Sequence, residues 1–455
     1  MNPLPWKSVL GAATVLALAG RMGAADLSPA NASAVESTRP MQMPPFIVED
    51  TPSKFATWKW GYTSFPGYEV MTYCDDAVTM RFITGLSRQI SILGDIAPAA
   101  FESAPSVPTA LILMDRTQEQ TIAEGMKKVM TERTGSLNTK TSGLSVHRVF
   151  FPQLLLHDSE STAINVILDD WDNYDTVVLE PGYVRYLLEL RLPHLPAWYV
   201  DAMTTLYAHA LFLPTKVVFS PVEWPLDEVE AKASHADPSH PRALVPLNAI
   251  LLTHPTSEGF DDESRARVRR WKAEAELFLH WVLADKSNGR IRALKRYFDL
   301  GTAGRRESAF RECFGLGYAE AANQLSQYLP KAVNETITVY RDDDVPIAGL
   351  RDATDAEYAR IWGNWGLMEI EFVKDQDPLM VHPYIAQAEH TLGGAYRKGE
   401  REPRFMAVLG LHDVGMNRPD EARVVMESAA AEKVNYPAMY VELARLRFRQ
   451  AIAKP

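Results

Sequence analysis

The spacing of apolar positions changes along this chain, and each change predicts a different kind of element. In the first part, GYEVMTY (67–73), VPTALILMD (107–115), RVFFPQLLL (148–156) and TAINVILDD (162–170) are short apolar runs with few internal charges, and they predict strands. Between the first two, AVTMRFITGLSRQISIL (77–93) spaces its apolar residues as a helix does. A small α/β unit over 51–172 follows from this. From about residue 174 the helical period takes over, with helices expected at 176–192, 196–213, 264–286, 289–300, 305–314 and 317–328. These make a helical core over 173–330. The polar, Pro-rich passage 215–262 is expected to wrap over the surface, and ETITVYRDDDVP (335–346) marks a connector placed at 331–352. The fold class is therefore α+β and mostly helical.

The last part, 353–455, repeats itself. Thr354-Asp-Ala-Glu357 is a capping box that opens a helix. Leu409 and Gly410 recur as Leu443 and Ala444, and Pro403 recurs as Pro437. Ala388, Leu392 and Ala395 recur as Ala422, Met426 and Ala429, all at a spacing of 34 residues. That is the tetratricopeptide (TPR) period, and its small residues let two helix backbones cross closely. Two to three TPR-like α-hairpins are expected.

The N-terminus has other work. Lys7 precedes an apolar run, SVLGAATVLALAG (8–20), and Gly23-Ala24-Ala25 offers small residues before Asp26. This is the build of a signal peptide over 1–25, too short an apolar run to span a bilayer, which needs about 20 residues. Residues 26–50 read as a linker. An exported protein of a Gram-negative bacterial envelope is implied, periplasmic or secreted, with no membrane span once the signal is removed. Only Cys74 and Cys313 are available, and the sequence leaves open whether they pair or stay buried thiols. The net charge of −11 lacks the clustered basic footprint of a nucleic-acid binder.

Candidate chemistry concentrates in PGYVRYLLELRLPHLPAWYVDAM (181–203), two helices joined at a Pro-rich corner with a carboxylate early in the second. In helical zinc hydrolases, His-Glu-x-x-His sets two imidazoles on one helix face with the Glu as base. A carboxylate from the next helix completes the ligand set. With Leu195, Pro196, Trp198 and Asp201 following Tyr183, Tyr186, Leu187 and Leu188, this stretch resembles the gluzincin-like, peptidase-MA-type metallopeptidases. The resemblance extends to AELFLHWVLADKSNGRIRALKRYF (275–298) and covers about 67–330, so it implies a gluzincin-like region over 51–330.

The departures from that family fall on the chemistry. Pro181 and Gly182 stand where the first imidazole and the base belong, and neither can do that work. Arg185 stands at the second imidazole, and a guanidinium stays protonated. Asp201 keeps the carboxylate, one methylene shorter than Glu. The resemblance thus implies a remnant cleft lined by Pro181, Gly182, Tyr183, Arg185, Trp198 and Asp201, with no catalytic residue, no metal and no cofactor. Two fates for the remnant stay open. Arg185 and Asp201 could form an ion pair in the old site, or Arg185 could reach solvent while Asp201 caps its helix.

Other constellations are weaker. His194 falls in the interhelix corner, His209 about two turns beyond Asp201 on the same helix, His235 and His240 in a polar loop, and His280, beside Trp281, reads as a core histidine, so convergent ligand geometry is not expected of them. There is no Gly-x-Ser-x-Gly elbow and no Walker-type loop. RDDD (341–344) lacks the Gly turn of an EF-hand. WKWGY (58–62) and IWGNWG (361–366) are aromatic enough for a recognition patch, but also for packing. The function expected is a non-catalytic pseudo-metallopeptidase that binds a protein or peptide through its repeats. The alternative is a hydrolase with a site rearranged around Asp201, Tyr183 and Arg185.

Overall fold

The computed structural model describes residues 59–96, 107–115, 136–141, 144–149, 153–158, 161–168, 181–189, 195–213, 216–225, 244–253, 262–300, 306–340, 347–376 and 378–453. All belong to one compact unit within Thr57–Pro455. Residues 1–25, expected as a signal peptide, residues 26–50, expected as a linker, and His194, His235, His240 and 341–344 lie outside the described residues. Among those described, no helix is long and apolar enough to cross a membrane.

The fold is α+β and mostly helical. Strands β1 (Gly61–Phe65) and β2 (Tyr68–Thr72) form a hairpin closed by Pro66-Gly67, where Gly67 takes φ +81°. That left-handed conformation is free of strain only without a Cβ. Helix α1 (Asp76–Ile96) follows, then β3 (Thr109–Asp115), a hairpin of β4 (Ser136–Thr141) and β5 (Leu144–Val149), then β6 (Gln153–His157) and β7 (Thr162–Leu168). The apolar run at 148–156 is thus two strands rather than one.

Helices α2 (Pro181–Glu189) and α3 (Ala197–His209) lead into a second hairpin, β8 (Leu211–Leu213) with β9 (Lys216–Phe219). The helix expected over 196–213 therefore ends at His209, and its last apolar residues pair as a strand instead. The described parts of the passage 215–262, expected to wrap over the surface, instead place two apolar segments inside. They form β9, with Val217 and Phe219 fully buried, and α4 (Leu247–Leu252). Helices α5 (Asp262–Leu283), α6 (Gly289–Asp299), α7 (Glu307–Phe314) and α8 (Tyr318–Ala332) complete this core around Trp198, Phe278, Phe298 and Phe310.

The region expected as a connector also forms strands. β10 (Ile337–Tyr340) adds to β9, and β11 (Arg351–Asp352) adds to β1. The main sheet then has the order β11-β1-β2-β3-β7-β6, with β2, β3 and β7 parallel to their neighbours in that central run. Its side chains divide with the two-residue period of a strand. Val70, Leu111, Leu113, Ile164 and Val166 face α1 and Tyr183, whereas Met71, Ile112, Met114, Ala163 and Ile167 face the other way. That second face is covered by Ile361, Trp365 and Met368 of α9 (Asp355–Gln376), the first helix of the repeating segment.

After α9 come α10 (His382–Arg397), α11 (Pro403–Gly415), α12 (Pro419–Ala431) and α13 (Pro437–Ala453), with α9–α10 and α11–α12 packed as hairpins. The capping box at α9 forms: Glu357 N donates to Thr354 Oγ1 (3.2 Å) and Thr354 N to Glu357 Oε2 (2.9 Å). Residues matched across the 34-residue spacing are buried alike, Ala388 with Ala422, Leu392 with Met426, and Ala395 with Ala429. Glycines mark the crossings. A Cβ on Gly363 would stand 2.3 Å from Leu392 Cδ2, and one on Gly410 would stand 2.5 Å from Met426 Cγ. The aromatics of IWGNWG are packing residues here, as is Trp60.

Candidate functional site

The Pro-cornered stretch folds as two helices. Pro181 opens α2 at its first position, where its missing N–H costs nothing. α3 begins after Pro196 with no side-chain cap. Asp201 is the fifth residue of α3, one turn inside, so it caps nothing. Its neighbours Trp198, Tyr199, Val200, Ala202 and Met203 are all buried, and Asp201 itself is only 4% exposed.

Arg185 reaches across from α2. Its Nη1 donates to Asp201 Oδ1 at 2.7 Å, and its Nε donates to Glu189 Oε1 at 2.9 Å. The Arg185 side chain remains 43% exposed, so the guanidinium lies as a lid over a buried carboxylate, with its outer edge in water. Burial of this kind is tolerated because the carboxylate is hydrogen-bonded. Of the two fates left open by the sequence, the ion pair is the one observed.

The other residues expected to line a cleft with this pair are placed elsewhere. Tyr183 is buried against the sheet. Its hydroxyl shares a 2.8 Å hydrogen bond with that of Tyr68, and burial first of all pushes its titration up to about 12. Trp198 is enclosed by Phe278, Phe298 and Tyr199 in the helical core. Pro181 is half-buried and Gly182 exposed. So the fold brings Arg185 and Asp201 together, while Tyr183 and Trp198 serve two separate cores. Among the described residues, no three or more His, Cys, Asp or Glu side chains are placed to share a metal ion.

The buried face of α5 holds a second polar group. His280 is fully buried, its Nδ1 shares a 2.8 Å hydrogen bond with the Tyr328 hydroxyl, and burial holds its titration down at about 4. One turn earlier, burial and then the charge of Glu223 push the carboxyl of Glu276 up to about 8. At neutral pH His280 is thus an uncharged core side chain, as its setting beside Trp281 suggested. Cys74 and Cys313 are both free thiols.

The densest charge cluster lies elsewhere, and sequence reasoning did not find it. Glu69, on β2 and 4% exposed, receives Nη1 and Nη2 of Arg360 from α9 at 2.6 and 2.8 Å. It also receives Nη1 and Nη2 of Arg404 from α11 at 2.9 and 2.7 Å. The Tyr62 hydroxyl adds a fifth bond at 2.7 Å. Burial alone would raise the carboxyl, but the hydrogen bonds and charges of Arg360 and Arg404 prevail and hold it at about 2. Two forked guanidinium–carboxylate pairs on one acid are geometrically specific. They clamp the sheet to both helical hairpins. Partners 291 and 335 residues apart leave no local pattern to read.

Compared with known proteins, the chain matches no family model, no curated protein and no solved structure.

Proposed function

We propose that this chain is an exported, non-catalytic relative of the gluzincin-like metallopeptidases, and that it acts as a protein- or peptide-binding scaffold of the bacterial envelope through TPR-like repeats. In this reading the small α/β unit and the helical core are the inherited peptidase frame, and the C-terminal hairpins are the binding element. The observation that carries it is the Arg185–Asp201 pair. A permanent cation, bonded to the carboxylate that would complete a zinc site, supports a helix pair kept for shape. Proline and glycine at 181 and 182 offer neither a ligand nor a base. Stacked helical hairpins present extended surfaces suited to holding another chain. The apolar run after Lys7 supports export.

A hydrolase built from Asp201, Tyr183 and Arg185 has less behind it. The Tyr183 hydroxyl is spent on Tyr68 in the sheet core, away from the ion pair. The test is elemental analysis of the full chain purified without chelator, paired with a scan of generic peptide substrates. Substoichiometric zinc and no cleavage are expected. One zinc per chain, or turnover abolished by Asp201→Asn, would overturn the reading.

A further inference from the structure

The last helix is exposed where its counterpart is covered. In α11, Met406, Ala407 and Gly410 are buried and Val414 packs on the same cluster, which includes Val425, Met426 and Ala429 of α12. Counting 34 residues on, the matching positions of α13 are Tyr440, Val441, Ala444 and Phe448. All four are exposed, Val441 at 50% and Phe448 at 66%, and Ile452 continues the line at 69%. The positions that face inward in both helices, Phe405 with Met439, Leu409 with Leu443, and His412 with Leu446, are buried in both. So α13 packs on the preceding hairpin as α11 does, and it keeps an apolar stripe where α11 receives its second helix. Val441, Ala444, Phe448 and Ala451 follow one another at steps of three and four, the spacing of a seam for one further helix.

The charges beside the stripe say what kind of helix fits. Arg445, Arg447 and Arg449 flank it and are exposed. Among the described residues, Arg445 pairs with Glu442 on its own helix and Arg447 with Glu427 at 3.3 Å. A second copy of α13 laid along this face would bring arginines against arginines, which disfavours self-pairing. The helix that covers the matching face of α11 carries a net negative charge, with Asp420, Glu421 and Glu427 around its Ala422, Val425, Met426 and Ala429 stripe against the single Arg423, which pairs with Glu427 at 3.1 Å. We propose that the exposed face of α13 docks one acidic amphipathic helix of a partner protein, seated as α12 is seated on α11. The proposal rests on the scaffold reading above and names the surface and partner chemistry it would use.

The probe is a labelled peptide with the sequence of residues 418–432, RPDEARVVMESAAAE, titrated with the full chain and followed by fluorescence anisotropy. Saturable binding is expected, weakened about tenfold or more by Phe448→Glu, a change at a helix-in-groove anchor. Binding should also fall as salt rises and when Asp420, Glu421 and Glu427 of the peptide are replaced by Lys. No saturable binding to the unmodified chain would overturn the proposal. So would binding that is indifferent to Phe448→Glu while circular dichroism shows that variant folded. A concentration-dependent dimer in sedimentation that Phe448→Glu abolishes would assign the face to a second copy, and would overturn it too. None of these outcomes bears on zinc content, so failure here leaves the non-catalytic reading to its own test.

Discussion

Two places in this chain set a guanidinium against a buried carboxylate, and their surroundings differ. At Asp201 one arginine covers the acid from outside and keeps 43% of its side chain in water. At Glu69 two arginines and a tyrosine close on the acid, and the Arg360 side chain is only 9% exposed. The first pair joins two helices that are neighbours in sequence. The second joins a strand to helices about 300 residues away. Proximity to a recognisable motif is therefore a poor guide to structural consequence. What matters is how much water each charge has left behind and how many partners depend on it.

The largest effect that would sharpen this comparison is expected at Glu69. Glu69→Gln removes the charge while keeping the shape, and leaves Arg360 and Arg404 facing each other with only the half-exposed carboxylate of Glu402, 4.0 Å from Arg360 Nε, nearby among the described residues. Breaking one partner out of a buried ionic cluster costs about 3–5 kcal/mol. Chemical denaturation followed by tryptophan fluorescence should show that loss, together with early loosening of α9 from the sheet. A loss under about 1 kcal/mol, the range of exposed pairs, would mean water reaches the cluster and would dissolve the contrast with Asp201.

That α9 belongs to the sheet's core explains much of what the sequence hid. The strands at 68–72, 109–115 and 162–168, the helix at 76–96 and most of the helical core were legible because each carries its own period. The hairpins were legible because 34 residues separate Ala388 from Ala422 and Leu392 from Met426. The boundary between sheet and repeats was not, since Ile361, Trp365 and Met368 pack on Met71 and Ile112 while belonging to the first repeating helix. One consequence is practical. Deleting 353–455 would strip one face of the sheet, so that truncation cannot separate binding from folding. At the candidate site, sequence located Arg185 and Asp201 and left their pairing open. It also grouped Tyr183 and Trp198 with them, because residues near each other on two short helices can still face different cores.

A second, intermediate effect separates partner number from burial. Glu276 is as buried as Glu69, at 4%, and Glu369 lies close at 8%. Among the described residues no arginine bonds to either, and burial above all pushes both up to about 8 from an ordinary 4.5. The folded chain therefore holds protons that the unfolded chain has released across this window, so these two groups make stability fall as pH rises from 4.5 to 8. His280 works in the opposite sense, since its folded value near 4 lies below the ordinary 6.5. Its contribution grows with pH and is complete by 6.5. Between pH 6.5 and 8 the carboxyls act unopposed by it, each with a slope of up to about 1.4 kcal/mol per pH unit. Melting temperature should drop across that interval, and Glu276→Gln combined with Glu369→Gln should flatten the drop. A profile unchanged by both substitutions would mean these carboxyls are ionised in the fold.

The smallest effect is expected at the pair that carries the functional reading. Arg185→Leu removes a guanidinium that is nearly half in water, but it uncovers a carboxylate that is almost wholly buried. The outer bond to Glu189 is a surface pair and is worth little. The bond to Asp201 is worth more, because its loss leaves an anion with fewer donors in a tight setting. With water able to enter through the vacated space, the net cost should be about 1 kcal/mol, read as a small shift in denaturation midpoint with no change in its slope. The double change Arg185→Leu with Asp201→Leu supplies the control. If the single change costs stability and the double change recovers it, the arginine is there to neutralise a carboxylate that the fold itself does not need. If the single change leaves the midpoint untouched, Asp201 has enough other donors, and the ion pair is incidental to the site it fills.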